Sequence, residues 1–109
     1  MNWEQLTEEA QLATILKKSF EQPVVIFKHS TRCSISSMAK SRLERVSAPD
    51  NISFYYLDLI RYRSVSNKIA EMFGVYHESP QVLLIRNGEC VYDESHGGID
   101  MTEIASQAA

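Results

Sequence analysis

Positive charge is scarce in this sequence: 11 lysines and arginines stand against 14 aspartates and glutamates, a formal net charge of −3. A nucleic-acid or anionic-membrane binder would carry a basic patch, so that balance argues against both partners. Long apolar runs are missing too, with no stretch near the ~18 residues of a membrane span. The first residues, MNWEQLTEEA, are acidic and polar where a secretory leader is basic and then apolar. The expectation is a cytoplasmic protein with no membrane partner. Only two cysteines occur, Cys33 and Cys90, too few for a disulfide framework. In a reducing compartment both stay thiols. No repeat, low-complexity tract or Pro/Gly-rich linker divides the chain, which reads as one domain over residues 1–109.

What is present is a regular alternation of helix and strand signals. Thr7-Glu8-Glu9 offers a capping hydroxyl and then acids for a first turn, and Lys17 and Lys18 suit a helix end. Leu12, Ile15 and Leu16 share one face, joined by Trp3, Leu6 and Phe20, before Pro23 breaks the helix. Val24-Val25-Ile26-Phe27 is a continuous apolar run, as expected of a strand buried on both faces. Ser34 to Val46 reads as a helix whose core face is assigned to Ile35, Met38, Leu43 and Val46. A turn at Ala48-Pro49-Asp50-Asn51 leads to a strand over Ile52–Leu57, and a helix from about Val65 to Phe73 stops at Gly74. Asn87-Gly88 between Val82-Leu83-Leu84-Ile85 and Cys90-Val91-Tyr92 predicts a two-residue type I′ hairpin. A short terminal helix starts at Asp100 or Thr102. Trp3, Met38 and Met72 are assigned to the core.

The order α-β-α-β-α-β-β-α pairs the first two strands in parallel through a right-handed crossover and adds an antiparallel hairpin. That is the order of a thioredoxin-like α/β fold, with a four-stranded mixed sheet flanked by helices. A generic α/β sandwich is the alternative.

In that architecture Cys33 stands where a buried strand turns into a helix. The N–H groups of a helix's first turn favour a thiolate over a thiol, Arg32 adds a cation, and the Ser36 hydroxyl one turn on can donate to the sulfur. Thr31, Arg32, Ser34 and Ser36 give Cys33 a polar lip, although a small buried cysteine at a helix start is the simpler alternative. Cys90 is a poor partner for it. At ~3.3 Å per strand residue, Cys90 falls ~10–15 Å from the Pro80 end of the third strand. A disulfide needs Cα atoms within about 7 Å.

Pro80 heads that third strand, after His77, Glu78 and Ser79. Cis and trans are both compatible with the local sequence; a thioredoxin-like fold favours cis, facing the cysteine. Gly97-Gly98-Ile99-Asp100 is similar to the stretch with which glutaredoxins hold the γ-glutamyl end of glutathione. It also reads as an ordinary loop and helix cap. His29, His77 and His96 have no zinc-motif spacing with Cys33, so no metal is expected.

The segments FKHSTRCSIS, RSVSNKIAEMFGVYHESPQVLLIRNGE and ESH resemble the bacillithiol-system redox proteins, the YtxJ-type monothiol bacilliredoxins. The likeness runs from Val24 to about Asp100, and His77-Glu78-Ser79-Pro80-Gln81 is its most distinctive patch. It implies a monothiol thiol–disulfide oxidoreductase in which Cys33 attacks, with Ser36 and Arg32 as the assisting groups read above. The alternatives are a general protein-disulfide reductase or redox relay using Cys33 and Cys90, and an iron–sulfur-cluster-binding module. Ser79, Pro80, Thr31, Ser34, His77, Gly97, Gly98 and Asp100 would line the substrate site. The implied co-substrate is a low-molecular-weight thiol, bacillithiol or glutathione, with no bound cofactor. The implied partners are S-thiolated client proteins and a flavin disulfide reductase, met by a monomer. Two positions depart from the family pattern: Ser34 replaces a proline after the cysteine, and Gly97 replaces a tryptophan after Ser95-His96.

Overall fold

The structure is a computed structural model that describes residues 1–109. Five strands form one mixed sheet in the order β1-β3-β2-β4-β5, where β1 is Trp3–Gln5, β2 Val24–His29, β3 Ser53–Asp58, β4 Gln81–Arg86 and β5 Glu89–Ser95. β1, β3 and β2 run parallel, and β4 and β5 are antiparallel additions. The helices are α1 (Gln11–Lys18), α2 (Ser34–Glu44), α3 (Arg63–Phe73) and α4 (Met101–Ala108).

The expected four-stranded sheet is corrected to five by β1. Trp3 pairs with Phe54 and stacks on Phe27 at a centroid distance of 5.5 Å. Three residues are too short to display strand periodicity, so Trp3 and Leu6 read instead as part of the first helix's apolar face. That helix also starts later than Thr7. The Gln11 side-chain oxygen accepts from Thr7 N–H (2.7 Å) and Glu8 N–H (3.0 Å), holding residues 7–10 as a turn before α1.

Strand alternation splits the core into two layers. Val25 and Phe27 face α2 and α4 with Leu43, Phe54, Leu84 and Ile104; Val24 and Ile26 face α1 and α3 with Leu12, Ile15, Ile69 and Leu83. Each fully buried Leu, Ile or Phe contributes roughly 1.5–3 kcal/mol through apolar area removed from water. The expected core face of α2 is largely wrong. Ile35, Met38 and Val46 are exposed, whereas Ser36, Ala39 and Leu43 are buried. Ser36 and Ala39 are absent from the expected face, yet their small size lets α2 lie close to the sheet. Met72 and Phe20 are likewise exposed rather than core.

The hairpin forms as expected: Asn87 and Gly88 both have positive φ (53° and 81°), and Arg86 pairs with Glu89. Gly74 closes α3 in the left-handed region (φ 64°), again as expected. Between Leu84–Tyr92 and Ile85–Cys90 the ladder shifts by one residue, leaving Val91 as a bulge.

Candidate active site

Register decides which residues meet. Lys28 on β2 pairs with Gln81 on β4, so the C-terminal end of β2 lies beside the N-terminal end of β4. Residues 30–33 leave that end of the sheet, and Ser79-Pro80 arrive at it. The Ser79–Pro80 peptide is cis. Gln81 pairs in turn with Ser95, and His96 N–H donates to the Pro80 carbonyl (3.1 Å), which brings the start of the glycine turn to the same end.

Cys33 is the N-cap residue of α2, with an extended backbone (φ −110°, ψ 122°) and a half-buried side chain. Its N–H closes a turn onto the Ser30 carbonyl (3.2 Å), and its carbonyl accepts the first helical bond from Ser37 (3.0 Å). The first N–H groups of α2 have no intrahelical acceptor, a local positive end that suits a sulfur anion. Thr31, Arg32 and Ser34 are exposed around it.

Ser36 is fully buried one turn further on. Its hydroxyl has partners that the sequence did not assign to it: Oγ lies 2.7 Å from His29 Nδ1 and accepts from Ser30 N–H at 3.0 Å. His29 is the last residue of β2, buried against Phe27 and Tyr56 with ring centroids 5.7 and 5.5 Å away. Burial lowers its pKa, and Lys40 pushes the same way against Asp58 and Glu44.

A second buried polar group was also illegible in advance. Lys28, on the other face of β2, is fully buried and donates to the Ser66 carbonyl (3.2 Å), with His77 Nδ1 at 3.4 Å. Ser66 Oγ is 3.2 Å from the same His77 nitrogen. Burial pushes the lysine's pKa down to about 8. His77 is lowered as well, by burial first and by Lys28 and Arg63 next. His77 thus serves as a neighbour of Lys28 within the exposed segment that leads to Pro80. The usable signal for Lys28 and His29 was the two-sided burial of β2. Polar residues continuing such a strand must go inside and be partnered.

The remaining predicted positions have structural occupations. Asp100 caps α4, accepting from Glu103 N–H at 3.1 Å. Gly97 and Gly98 form a short 3-10 turn with His96, tied to α2 by Arg42, whose guanidinium donates to the His96 (2.9 Å) and Ile99 carbonyls. A Cβ on Gly98 would sit 2.5 Å from Glu94 Cδ, so a carboxylate already packs against that glycine. Ser79 Oγ is buried with no hydrogen-bond partner. Cys90 lies at the hairpin end of the sheet, opposite Ile85 and four residues along β4 from Gln81. Burial pushes its thiol up to about 11, and it packs on the α1/α3 layer, away from α2.

A sheet of this order, with a half-buried cysteine at the N-terminus of α2 and a cis-proline at the same end, defines a thioredoxin-fold thiol–disulfide oxidoreductase. The sequence model for the monothiol bacilliredoxin BrxC matches residues 4–104, and the chain belongs to that family. Among solved structures, a chain described as having a thioredoxin fold is 30% identical, with a TM-score of 0.81 over 96% of this chain and 92% of its own. Two thioredoxins share the fold at lower identity. The Malassezia sympodialis protein is 16% identical (TM-score 0.77, 99% of this chain and 92% of that one). The Schistosoma mansoni protein is 18% identical (TM-score 0.75, 98% and 93%). No helix is long and apolar enough to cross a membrane.

Proposed function

We propose that the protein removes bacillithiol, or a closely similar small thiol, from mixed disulfides on client proteins through Cys33. The thiolate of Cys33 attacks the small-thiol sulfur of the client disulfide. The client cysteine leaves as a thiolate and takes up a proton, and the small thiol remains on Cys33. A second small-thiol molecule, attacking as its thiolate, then releases the oxidised dimer and returns Cys33 to the thiolate; a flavin disulfide reductase is the alternative source of electrons.

The observation that carries this reading is the pairing of Cys33 at the cap of α2 with Ser36, rather than a second thiol, one turn along. The mixed disulfide on Cys33 therefore has no neighbouring thiol to displace it, because the other cysteine is at the far end of β4. Exposed Thr31, Arg32 and Ser34 are the surface a client would first meet. Ser79 Oγ, buried without a partner beside the cis-proline, is a polar group left unsatisfied at the end of the sheet where a client chain would lie. The test is a de-thiolation assay on one client protein blocked in parallel with bacillithiol and with glutathione. Wild type should release bacillithiol faster than glutathione, and Cys33→Ser should release neither. Release by Cys33→Ser at the wild-type rate refutes the mechanism; preference for glutathione refutes the substrate.

A further inference from the structure

The buried serine at position 36 has one hydrogen and two places to send it. Its oxygen already accepts from Ser30 N–H, which leaves one further lone pair and the hydroxyl hydrogen. His29 Nδ1, 2.7 Å away, either accepts that hydrogen or, when it carries its own, donates to the oxygen. Only in the second arrangement is the Ser36 hydroxyl free to point elsewhere. The direction open to it is set by the helix: Ser36 is the third residue of α2, and a side chain there faces back to the N-cap residue, which is Cys33.

We propose that His29 is a positioning residue for the exchange reaction, acting through Ser36 as the acceptor of the Cys33 proton. Ser36 Oγ bonds His29 Nδ1 and Ser30 N–H and makes no hydrogen bond to Cys33 in the structure, so the step begins with the Cys33 thiol turning onto Ser36 Oγ while Ser36 donates to His29 Nδ1. One concerted shift moves the thiol proton onto the serine oxygen and the serine proton onto the imidazole. Sulfur becomes the thiolate and accepts from Ser36, while Ser36 accepts from Ser30 N–H and from the imidazolium Nδ1–H. The serine has two acceptor bonds and one donor bond before and after, so no buried group loses a partner. When Cys33 later leaves a mixed disulfide as an anion, the same hydroxyl hydrogen is aimed at it. The ring is surrounded for both states. Burial first and Lys40 on α2 next oppose its charge, Asp58 on β3 and Glu44 on α2 support it, and Phe27 and Tyr56 hold its plane.

This rests on the reading of Cys33 as the attacking thiol, but its test does not depend on which small thiol is used. Alkylation of Cys33 by iodoacetamide is followed by mass spectrometry across a pH series in wild type, His29→Gln and Ser36→Ala. Glutamine keeps a hydrogen-bonding group beside Ser36 but takes no proton. The wild-type profile should depart from a single titration, as expected of two coupled groups. Both variants should return a single titration and react about tenfold more slowly near neutrality, the weight of one hydrogen bond to a charged sulfur. A His29→Gln protein with the wild-type rate and profile overturns the proposal. Should the variants fold poorly, ring-nitrogen NMR of wild type decides. Blocking Cys33 with iodoacetamide should lower the pH at which His29 titrates, and an unmoved titration overturns the proposal. A failed bacillithiol assay with an altered His29→Gln profile would sink the substrate reading alone.

Discussion

Replacing Lys28 with methionine should make the protein more stable at neutral pH, although it removes two hydrogen bonds. The ammonium is fully buried and meets only the Ser66 carbonyl and a histidine nitrogen, both formally neutral. Its pKa falls from 10.5 to about 8. At ~1.36 kcal/mol per unit, that difference means burial of the charge costs about 3 kcal/mol. Below pH 8 both the native and the unfolded chain hold the proton, so the cost is present in full. Between about 8 and 10.5 the native state gives up its proton first and the cost fades; above that range it is gone. Methionine has similar length, no charge and an apolar environment to fill. Lys28→Met should therefore exceed wild type by about 2–3 kcal/mol at pH 7, and the gap should shrink steadily to pH 10. Urea unfolding at four or five pH values measures it, and titrations shared by both proteins cancel in the difference. A variant less stable than wild type at pH 7, or a gap that is flat with pH, would refute the reasoning.

Three other changes test separate parts of the structure. Ser36→Cys restores a thiol one turn from Cys33, so a small-thiol adduct on Cys33 should give way to an internal disulfide. A long-lived adduct seen by mass spectrometry would argue that the two side chains do not meet. Cys90, with its thiol pushed up to about 11, should resist iodoacetamide at neutral pH while Cys33 is modified, and Cys90→Ala should de-thiolate clients at the wild-type rate. Equal labelling of the two cysteines contradicts that. Asp100→Ala removes the cap of α4 and should cost about 1 kcal/mol in urea unfolding with little change in Cys33 alkylation; a drop in reactivity without a drop in stability would give Asp100 a role beyond capping.

Sequence signals served best where the cause of a structure is local. Asn87-Gly88 makes its turn through its own backbone preferences, and Gly74 stops α3 for the same reason. Cys33 could be placed at a helix start because the strand before it is so apolar. Features that depend on a distant partner were illegible. β1 exists only because Trp3 finds Phe27 and Phe54, and the buried face of α2 is chosen by how closely Ser36 and Ala39 let it approach. The two-sided burial of β2 hints that Lys28 and His29 go inside, but not what meets them there. Their burial follows from α2 and α3 extending over that end of the sheet, which no local window contains. Asp100 carries two signals at once, a likeness to a ligand-binding motif and a helix cap, and the cap is the one the fold displays.

The bulge at Val91 sets a phase that reaches the far end of the molecule. Counting back from the hairpin without it, Tyr92 would stand opposite Leu83 and every later residue of β5 would point to the other side of the sheet. One surplus residue restores parity. Cys90 is left on the α1/α3 side, Tyr92 crosses to the α2/α4 side, and Ser95 is delivered opposite Gln81. His96 then falls within reach of the Pro80 carbonyl and Glu78, and Arg42 can grip the turn that follows. Deleting Val91 would keep this register, since Tyr92 would follow Cys90 into the place opposite Leu84; it is Val91 paired in the ladder that would carry the wrong residues to the Pro80 end.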